Sequence, residues 1–292
     1  MAAPKDDRRL ALWLTAPALG AMLLVAGYPI LHAVRLSLYR HRLTDPGARA
    51  FVGLENYAVV LADPLWWTDV GTTLLLVALT VPVELALGLA LALVLHRAAS
   101  GRRWVRAAVI LPYGVVTVVS AFAWKHAFAL DTGFVNGWLG LGELAWFARP
   151  GTALAAIALA EIWKTTPFVA LLLLAGLSTV PEELQEAARI DGASAWQRLV
   201  SVTLPAMRTP IAVAVLFRAL DAFRVFDSVF VLTGGAHRTE SVSFLAYRQT
   251  IGRTALGLGS AVSVLLFLSV LLLAAALVKA LRPELGAGPE AR

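Results

Sequence analysis

The sequence has 292 residues, of which 59% are hydrophobic and 15% are charged, whereas soluble domains are about 45–50% apolar and about 25% charged. This composition excludes an ordinary water-soluble domain and indicates a membrane protein. Cysteine is absent and the five histidines are scattered along the chain, which excludes disulfides, thiolate metal sites and cysteine nucleophiles and leaves no metal-ligand spacing.

Six apolar stretches are long enough to cross a bilayer, which takes about 20 residues in a helix. They lie at 10–38, 70–95, 104–128, 152–178, 207–233 and 259–281. The sequence therefore predicts an all-α membrane protein with six transmembrane helices in one domain over 10–281, preceded by a segment at 1–9 and followed by a tail at 282–292. Since no small-residue cleavage site follows the first stretch, we interpret it as a retained helix.

The distribution of basic residues predicts the orientation of the helices. The two ends and the loops after the second and fourth spans contain thirteen Lys and Arg, and the opposite loops contain seven. Because cytoplasmic loops carry the excess of basic residues, we expect both termini to be cytoplasmic. The same rule explains the formal net charge of +6, so we expect no nucleic acid as a partner.

The loop between spans four and five, at 179–206, is predicted to form two short helices separated by a turn. Thr179 and Glu182 have the spacing of a capping box, and Ser194 and Gln197 repeat it. An Asp-Gly dipeptide between them would end the first helix, because glycine readily adopts the left-handed conformation there. Such a compact loop suits docking on a partner protein, and a merely solvated amphipathic loop is the alternative.

The same loop resembles the EAA loop in the permease subunits of bacterial ATP-binding cassette importers. The matching pattern is Glu186-Ala187-Ala188, then Gly192, then Val202-Thr203-Leu204-Pro205 after nine more residues. Beyond the loop, 223–235 resembles the corresponding region of the maltose-type sugar permeases. The stretch 161–168 resembles in particular the first permease of actinobacterial trehalose importers.

The resemblance implies a type I importer permease, multi-pass in the bacterial cell membrane, that is not itself an enzyme. It implies a second permease subunit, two ATPase subunits that bind ATP and Mg, and an extracytoplasmic sugar-binding protein as partners. It implies no catalytic residue, metal or cofactor in this chain, and the sequence contains no nucleotide-binding P-loop pattern. The ATPase-coupling residues that match the motif are Glu186, Ala187, Ala188, Asp191 and Gly192.

Clusters of ionisable side chains occur within predicted spans four and five, although such groups are costly there and usually face a cavity or another helix. Helical spacing places them on one face of span four and one face of span five. Both faces resemble sugar-contacting regions of the maltose-type permeases, which implies a sugar substrate, with trehalose or another disaccharide expected. The substrate-binding residues predicted in this way are Glu161, Lys164, Thr165, Phe168, Phe217, Arg218, Asp221, Arg224 and Val225.

A structural interpretation of these charges stays open. Glu161 with Lys164, and Arg218 with Asp221, have the spacing of intrahelical pairs that neutralise each other. The three cations of the two faces balance three carboxylates, one of them Asp227, which favours a neutral sugar over an anionic solute. Glu84 in span two is predicted to be a lone carboxylate that fixes a helix contact or faces water.

Three other functions also stay open. An importer of the same class could carry glycerol phosphate or a glycerophosphodiester. A proton-coupled secondary transporter could use the carboxylates Glu84, Glu161, Asp221 and Asp227 as a relay, but it predicts inverted repeats with broken helices, which the sequence does not clearly contain. A membrane-embedded enzyme with paired carboxylates is disfavoured because cations match the carboxylates.

Overall fold

The structure is a computed structural model, and it describes residues 5–97 and 102–285. Residues 1–4 of the predicted N-terminal segment and 286–292 of the predicted tail therefore lie outside the described residues. The α-helices are α1 (Lys5–Met22), α2 (Tyr28–Ser37), α3 (Glu55–Ala62), α4 (Pro64–Arg97), α5 (Arg102–Gly114), α6 (Thr117–Ala127), α7 (Val135–Leu139), α8 (Pro150–Leu177), α9 (Glu182–Ile190), α10 (Ala195–Arg198), α11 (Leu204–Ala206), α12 (Arg208–Ala222), α13 (Asp227–Leu232), α14 (Val242–Tyr247) and α15 (Leu256–Leu285). The strands are β1 (Tyr39–Arg42) and β2 (Asp45–Phe51).

The predicted helical membrane fold is confirmed, and the described residues contain four to six candidate membrane spans. Four helical stretches are long and apolar enough to cross alone, namely 13–37, 64–96, 150–177 and 256–281. Two more spans arise when each of two bent helix pairs is taken as one span. One pair bends by 94° between α5 and α6, and the other bends by 72° just before α12.

The chain divides into two compact units. The first comprises the described residues up to Trp66 together with Leu245–Leu268, and the second comprises the described residues of Trp67–Phe244 together with those from Ser269 onwards. All the predicted substrate-binding and coupling residues lie in the second unit.

The first unit contains a β-hairpin that the all-α prediction missed. Strands β1 and β2 pair antiparallel, with Tyr39 opposite Phe51. The Asn56 side chain donates to the carbonyl oxygens of Ser37 at 2.7 Å and of Tyr39 at 3.0 Å, which fixes the start of the hairpin. Gly257 lies so close that a Cβ there would come within 1.9 Å of the Tyr39 carbonyl oxygen.

The core of the second unit joins α4, α8 and the start of α12. Apolar side chains from these helices are almost fully buried against one another, among them Ala92, Leu95, Val169, Leu173, Met207 and Ala214. Glycine permits the close approach of α8 and α12, since a Cβ at Gly176 would lie 2.3 Å from the Cβ of Pro210. The two helices that carry the predicted substrate-binding faces are therefore packed directly on each other.

Replacing Gly176 by alanine tests this packing. We expect Gly176→Ala to lower the free energy of unfolding by about 1–3 kcal/mol, because overpacking forces neighbouring groups apart. The thermal midpoint of the protein purified in detergent measures the effect. The control is Gly71→Ala in α4, where a Cβ meets no described heavy atom within 4 Å and alanine is the better helix former. Equal midpoints for the two variants would contradict the packing argument.

Candidate substrate cavity and coupling loop

The centre of the site is a buried arginine held by carboxylates from three helices. Arg218 on α12 is 1% exposed. Its guanidinium donates from Nε to one carboxylate oxygen of Glu84 on α4 and from Nη2 to the other oxygen at 2.9 Å. Nη1 donates to Asp221 Oδ2 at 3.0 Å, and Nη2 lies 3.5 Å from Glu161 Oε2 on α8. Bidentate pairs of this kind are among the strongest protein hydrogen bonds.

Two hydroxyl groups complete the hydrogen bonding of these carboxylates. Thr165 donates to Glu84 Oε1 at 2.7 Å, and Ser228 donates to Glu161 Oε1. The prediction that Glu84 is a lone carboxylate is wrong, because Glu84 pairs with Arg218. These two residues lie 134 positions apart in the sequence. The prediction that Glu84 fixes a helix contact is confirmed.

One of the two intrahelical pairs forms and the other does not. Arg218 and Asp221 make the expected ion pair one turn apart. Lys164 does not pair with Glu161, and its Nζ donates instead to the carbonyl oxygen of Val115 at 2.6 Å. This carbonyl lies in the bend between α5 and α6, where the helical hydrogen-bond ladder stops and an acceptor needs another donor.

A cavity of about 520 Å³ opens beside the arginine cluster, within the usual range of small-molecule sites. It lies between the bend that separates α5 from α6 and the interruption at 223–226 that separates α12 from α13. The predicted spans 104–128 and 207–233 are thus not continuous helices. Irregular backbone at membrane depth is tolerated where it is buried in protein or lines a cavity, so both interruptions support a polar site inside the membrane domain.

The cavity brings together six of the nine predicted substrate-binding residues, which are Glu161, Lys164, Thr165, Asp221, Arg224 and Val225. Arg218 is buried and is not among the lining residues of the cavity. Phe168 stacks on Tyr113 with ring centroids 5.1 Å apart, and Phe217 is 58% exposed and lies outside the described lining. The lining residues that the prediction missed are Tyr113, Val115, Val116, Thr117, Phe226 and Asp227.

The missed lining residues lie at the two helix interruptions or at the helix ends beside them. A signal for the first interruption was present in the sequence, because Pro112 and Gly114 are residues that end or bend a helix.

The balance of cations and carboxylates at the site also changes once Glu84 is included in the arginine cluster. Among the described residues of the cavity and the arginine cluster, three cations face four carboxylates, whereas the sequence predicted three of each.

In the loop at 179–206, which we name the coupling loop after its predicted role, the predicted turn and one predicted cap are confirmed. Helix α9 ends at Ile190, and Gly192 has a left-handed φ of 78°. The backbone N–H of Gln197 donates to Ser194 Oγ at 3.3 Å, and that of Ser194 donates to the Gln197 side chain at 2.7 Å, which is the capping box before α10. The cap predicted for Thr179 is wrong, because its hydroxyl donates back to the Gly176 carbonyl oxygen at 2.8 Å.

The coupling loop presents its motif residues at the surface. Four of the five predicted coupling residues are exposed and Ala188 is half-buried; the exposed ones are Glu186, Ala187, Asp191 and Gly192. Two large apolar side chains beside them are also exposed, Ile190 at 85% and Trp196 at 71%. Between this loop and the ends of α4 and α8 lies a second cavity of about 730 Å³. The loop therefore offers both polar and apolar contact groups at one end of α8.

Removing Glu84 tests the buried ion pair. We expect Glu84→Ala to lower the free energy of unfolding by about 3–5 kcal/mol, because it leaves the Arg218 charge buried without its main partner. The melting midpoint and the yield of monodisperse protein in detergent measure this. The matched control is Glu55→Ala, which breaks the exposed pair with Arg40 and should change stability by about 0–1 kcal/mol. A loss in Glu84→Ala no larger than that in the control would contradict the assignment.

Comparisons with known proteins identify the family of the chain. Residues 84–286 match the family described as the binding-protein-dependent transport system inner membrane component. The chain is 49% identical to the trehalose transport system permease protein SugA of Mycobacterium tuberculosis, over 94% of this chain and 89% of that protein. It is 39% identical to the trehalose/maltose transport system permease protein MalF of Thermococcus litoralis, over 91% of each. It is 36% identical to the sulfoquinovosyl glycerol transport system permease protein SmoG of Agrobacterium fabrum, over 89% of this chain and 86% of that protein.

A solved structure has the same fold. The bacterial ABC transporter involved in the import of the acidic polysaccharide alginate contains a chain that matches with a TM-score of 0.79, over 96% of this chain and 98% of that one. The sequence identity is 21%, so this likeness shows the fold alone. The predicted importer-permease fold and multi-pass membrane location are confirmed. The chain therefore belongs to the binding-protein-dependent transport system inner membrane component family, the permease subunits of ABC importers.

Proposed function

We propose that this chain is one of the two permeases of an ATP-driven importer for a neutral disaccharide, with trehalose as the first candidate. The observation that carries the proposal is the cavity of about 520 Å³ between two helix interruptions, lined by both carboxylates and cations. A sugar presents hydroxyl groups that donate and accept hydrogen bonds, and such a lining meets both needs. The 49% identity to a trehalose permease supports the same cargo.

The charges around the cavity favour a neutral cargo over an anionic one. Arg218 is engaged by its carboxylate partners, and Lys164 is engaged by the Val115 carbonyl oxygen. Among the described residues of this site, the carboxylates outnumber the cations. A glycerol phosphate or glycerophosphodiester would bring its negative charge next to Asp221 and Asp227, where like charges repel. Cationic groups from the second permease would be needed to reverse this preference.

The coupling loop supports a partner ATPase as the source of energy. A switch between inward-facing and outward-facing states from 1:99 to 99:1 requires about 5.5 kcal/mol. The exposed α9 motif with Ile190 and Trp196 beside it supplies contact groups for a tight interface. We therefore place two ATPase subunits, which bind ATP and Mg, on the side of the membrane where the coupling loop lies. Both termini of the chain lie in the cytoplasm in this proposal. Membrane lipid surrounds the spans, and an extracytoplasmic sugar-binding protein delivers the cargo from the other side.

Reconstitution of the complete transporter tests this function. The chain is co-expressed with its chromosomal neighbours, purified in detergent and moved into lipid vesicles. We expect a four-subunit complex whose ATP hydrolysis rises when the binding protein is added with trehalose and does not rise with glycerol phosphate. ATP hydrolysis that rises with glycerol phosphate and not with trehalose would identify glycerol phosphate as the cargo. Purification of the chain without an ATPase, with proton-driven uptake in vesicles, would overturn the function.

Reversing a charge in the coupling motif tests the ATPase contact. We expect Glu186→Lys to reduce trehalose uptake at least tenfold, because it places a cation at the centre of the proposed interface, while the chain still inserts in the membrane. Uptake in vesicles and co-purification of the ATPase measure the two effects. The control is Glu183→Lys on the same helix, which is also exposed but precedes the motif and should transport normally. Normal uptake by Glu186→Lys would contradict the coupling role.

The carboxylate of Asp221 provides a test of the substrate-binding assignment. Asp221 has an exposed side chain in the cavity and keeps one oxygen on Arg218. We expect Asp221→Asn to weaken trehalose binding about tenfold, since hydrogen bonds to charged groups contribute about 1.5–3 kcal/mol. Binding of labelled trehalose to the purified permease–ATPase complex measures this. The control Asp131→Asn changes an exposed carboxylate outside the cavity lining. Equal trehalose binding by Asp221→Asn and Asp131→Asn would show that Asp221 does not bind the substrate.

A further inference from the structure

Several of the exposed arginines that the structure describes surround the β-hairpin of the first unit. Three lie on its strands and one lies just before α15; they are Arg40, Arg42, Arg49 and Arg253. The tip of the hairpin contacts the segment before α15, because the backbone N–H of Leu43 donates to the Thr254 carbonyl oxygen at 3.0 Å. The arginine before α15 therefore lies next to those of the hairpin. We name these four residues the hairpin arginines.

Acidic side chains balance only two of the hairpin arginines. The carboxylate of Glu55 pairs with Arg40, and Asp45 lies opposite Arg42 in the strand register. The other two hairpin arginines are in no ion pair within the described part of the chain. The surface therefore has donors for a further anion, and the planar guanidinium group matches the geometry of a phosphate.

The two spans attached to the hairpin fix its depth in the membrane. The stretch 13–37 ends two residues before β1, and the stretch 256–281 begins where a Cβ at Gly257 would lie 1.9 Å from the Tyr39 carbonyl oxygen. These stretches of 25 and 26 residues extend about 37–39 Å at 1.5 Å per residue, which exceeds the hydrocarbon core of about 30 Å. Their ends therefore reach the headgroup layer, and the hairpin lies there.

Apolar side chains are exposed on the same surface. Phe51 at the end of β2 is 66% exposed, and its ring packs edge-to-face with Tyr39 at 5.4 Å. Leu43 at the tip and Ile251 before α15 are exposed as well. A mixture of exposed apolar side chains, aromatic rings and basic residues is typical of segments that lie in the membrane interface. This composition favours a lipid surface over a soluble protein as the partner.

We propose that the hairpin arginines bind the phosphate groups of anionic phospholipids. The inference goes beyond the proposed function, on which only the assignment of this surface to the extracytoplasmic leaflet depends. The guanidinium carbon of Arg49 lies 4.6 Å from the centre of the Tyr39 ring, so its N–H groups are oriented before a lipid arrives. Bound lipid then holds the hairpin, and with it the adjoining ends of the two spans, in the headgroup layer.

Photocrosslinking in lipid vesicles tests this proposal. The complete transporter carries p-benzoylphenylalanine in place of Phe51 and is irradiated in vesicles that contain equal amounts of phosphatidylglycerol and phosphatidylcholine. Mass spectrometry of the hairpin peptide measures the two lipid adducts. We expect the phosphatidylglycerol adduct to exceed the phosphatidylcholine adduct about fivefold, since one basic residue near a membrane surface favours anionic lipid by about that factor.

Neutral substitutions identify the groups responsible for this preference. We expect Arg49→Gln/Arg253→Gln to bring the adduct ratio close to one. The matched control is Arg149→Gln/Arg238→Gln, which removes the same charge from two exposed positions outside the first unit and should keep the ratio. Equal adducts in the transporter with all its arginines, or a preference that persists in Arg49→Gln/Arg253→Gln, would overturn the lipid surface. Adducts with the second permease or the binding protein in place of lipid would overturn it as well.

A change of salt concentration provides a second test, which does not depend on how the variants fold. Raising the salt from about 0.15 M to about 1 M shortens the screening length from about 8 Å to about 3 Å, so the adduct ratio should fall towards one. A ratio unchanged by salt would overturn the contact between arginine and phosphate. Trehalose-stimulated ATP hydrolysis is measured in the same vesicles. Its absence, with the adduct ratio still about fivefold, would overturn the proposed function and leave the lipid surface intact.

Discussion

The burial of the Arg218 guanidinium is the constraint on which the membrane domain depends. Moving such a charge out of water carries a penalty of several kcal/mol, which is offset only by close, well-oriented partners. Glu84 supplies both of its oxygens, while Glu161 and Asp221 approach from α8 and from the next turn of α12. The pairing fixes α4, α8 and α12 relative to one another. It also sets two of these carboxylates at the wall of the cavity, so one electrostatic requirement creates both the packing and part of the site.

The cavity exists because two helices are interrupted beside this cluster. A continuous helix satisfies its own backbone groups and leaves little room at membrane depth, whereas an interrupted one frees carbonyl groups that need donors. Lys164 meets that need at Val115. The residue that the family resemblance assigns to the sugar thus also holds the backbone of the site. The cavity lining that contains its cation also contains Glu161, Asp221 and Asp227, so the lining is polar without a surplus of positive charge.

The features that sequence reasoning predicted are local ones. The capping box of Ser194 and Gln197, the turn at Gly192 and the shared face of Glu161 and Lys164 each follow from spacing within a few residues. The pairing of Glu84 with Arg218 joins residues 134 positions apart, and no local pattern specifies it. The hairpin at 39–51 was missed because its strands are short and polar, and its position depends on contact with Gly257. Tyr113 was missed because a span assumed to be one helix turns by 94° next to it.

In the proposed importer, α8 is the helix that connects the coupling loop with the cavity. Lys164 and Leu177 are separated by about 20 Å along the helix axis at 1.5 Å per residue, and α9 of the coupling loop follows shortly after Leu177. A closely packed helix transmits a shift along its length because the protein interior is nearly incompressible. At the end of α8, the absence of a Cβ at Gly176 lets Pro210 of α12 pack directly on α8. In the proposed importer, movement of the ATPase under α9 therefore reaches both walls of the cavity together, Glu161 and Lys164 through α8 and Asp221 through α12. The buried Arg218 joins the two walls, because it lies beside Glu161 on α8 and pairs with Asp221 on α12.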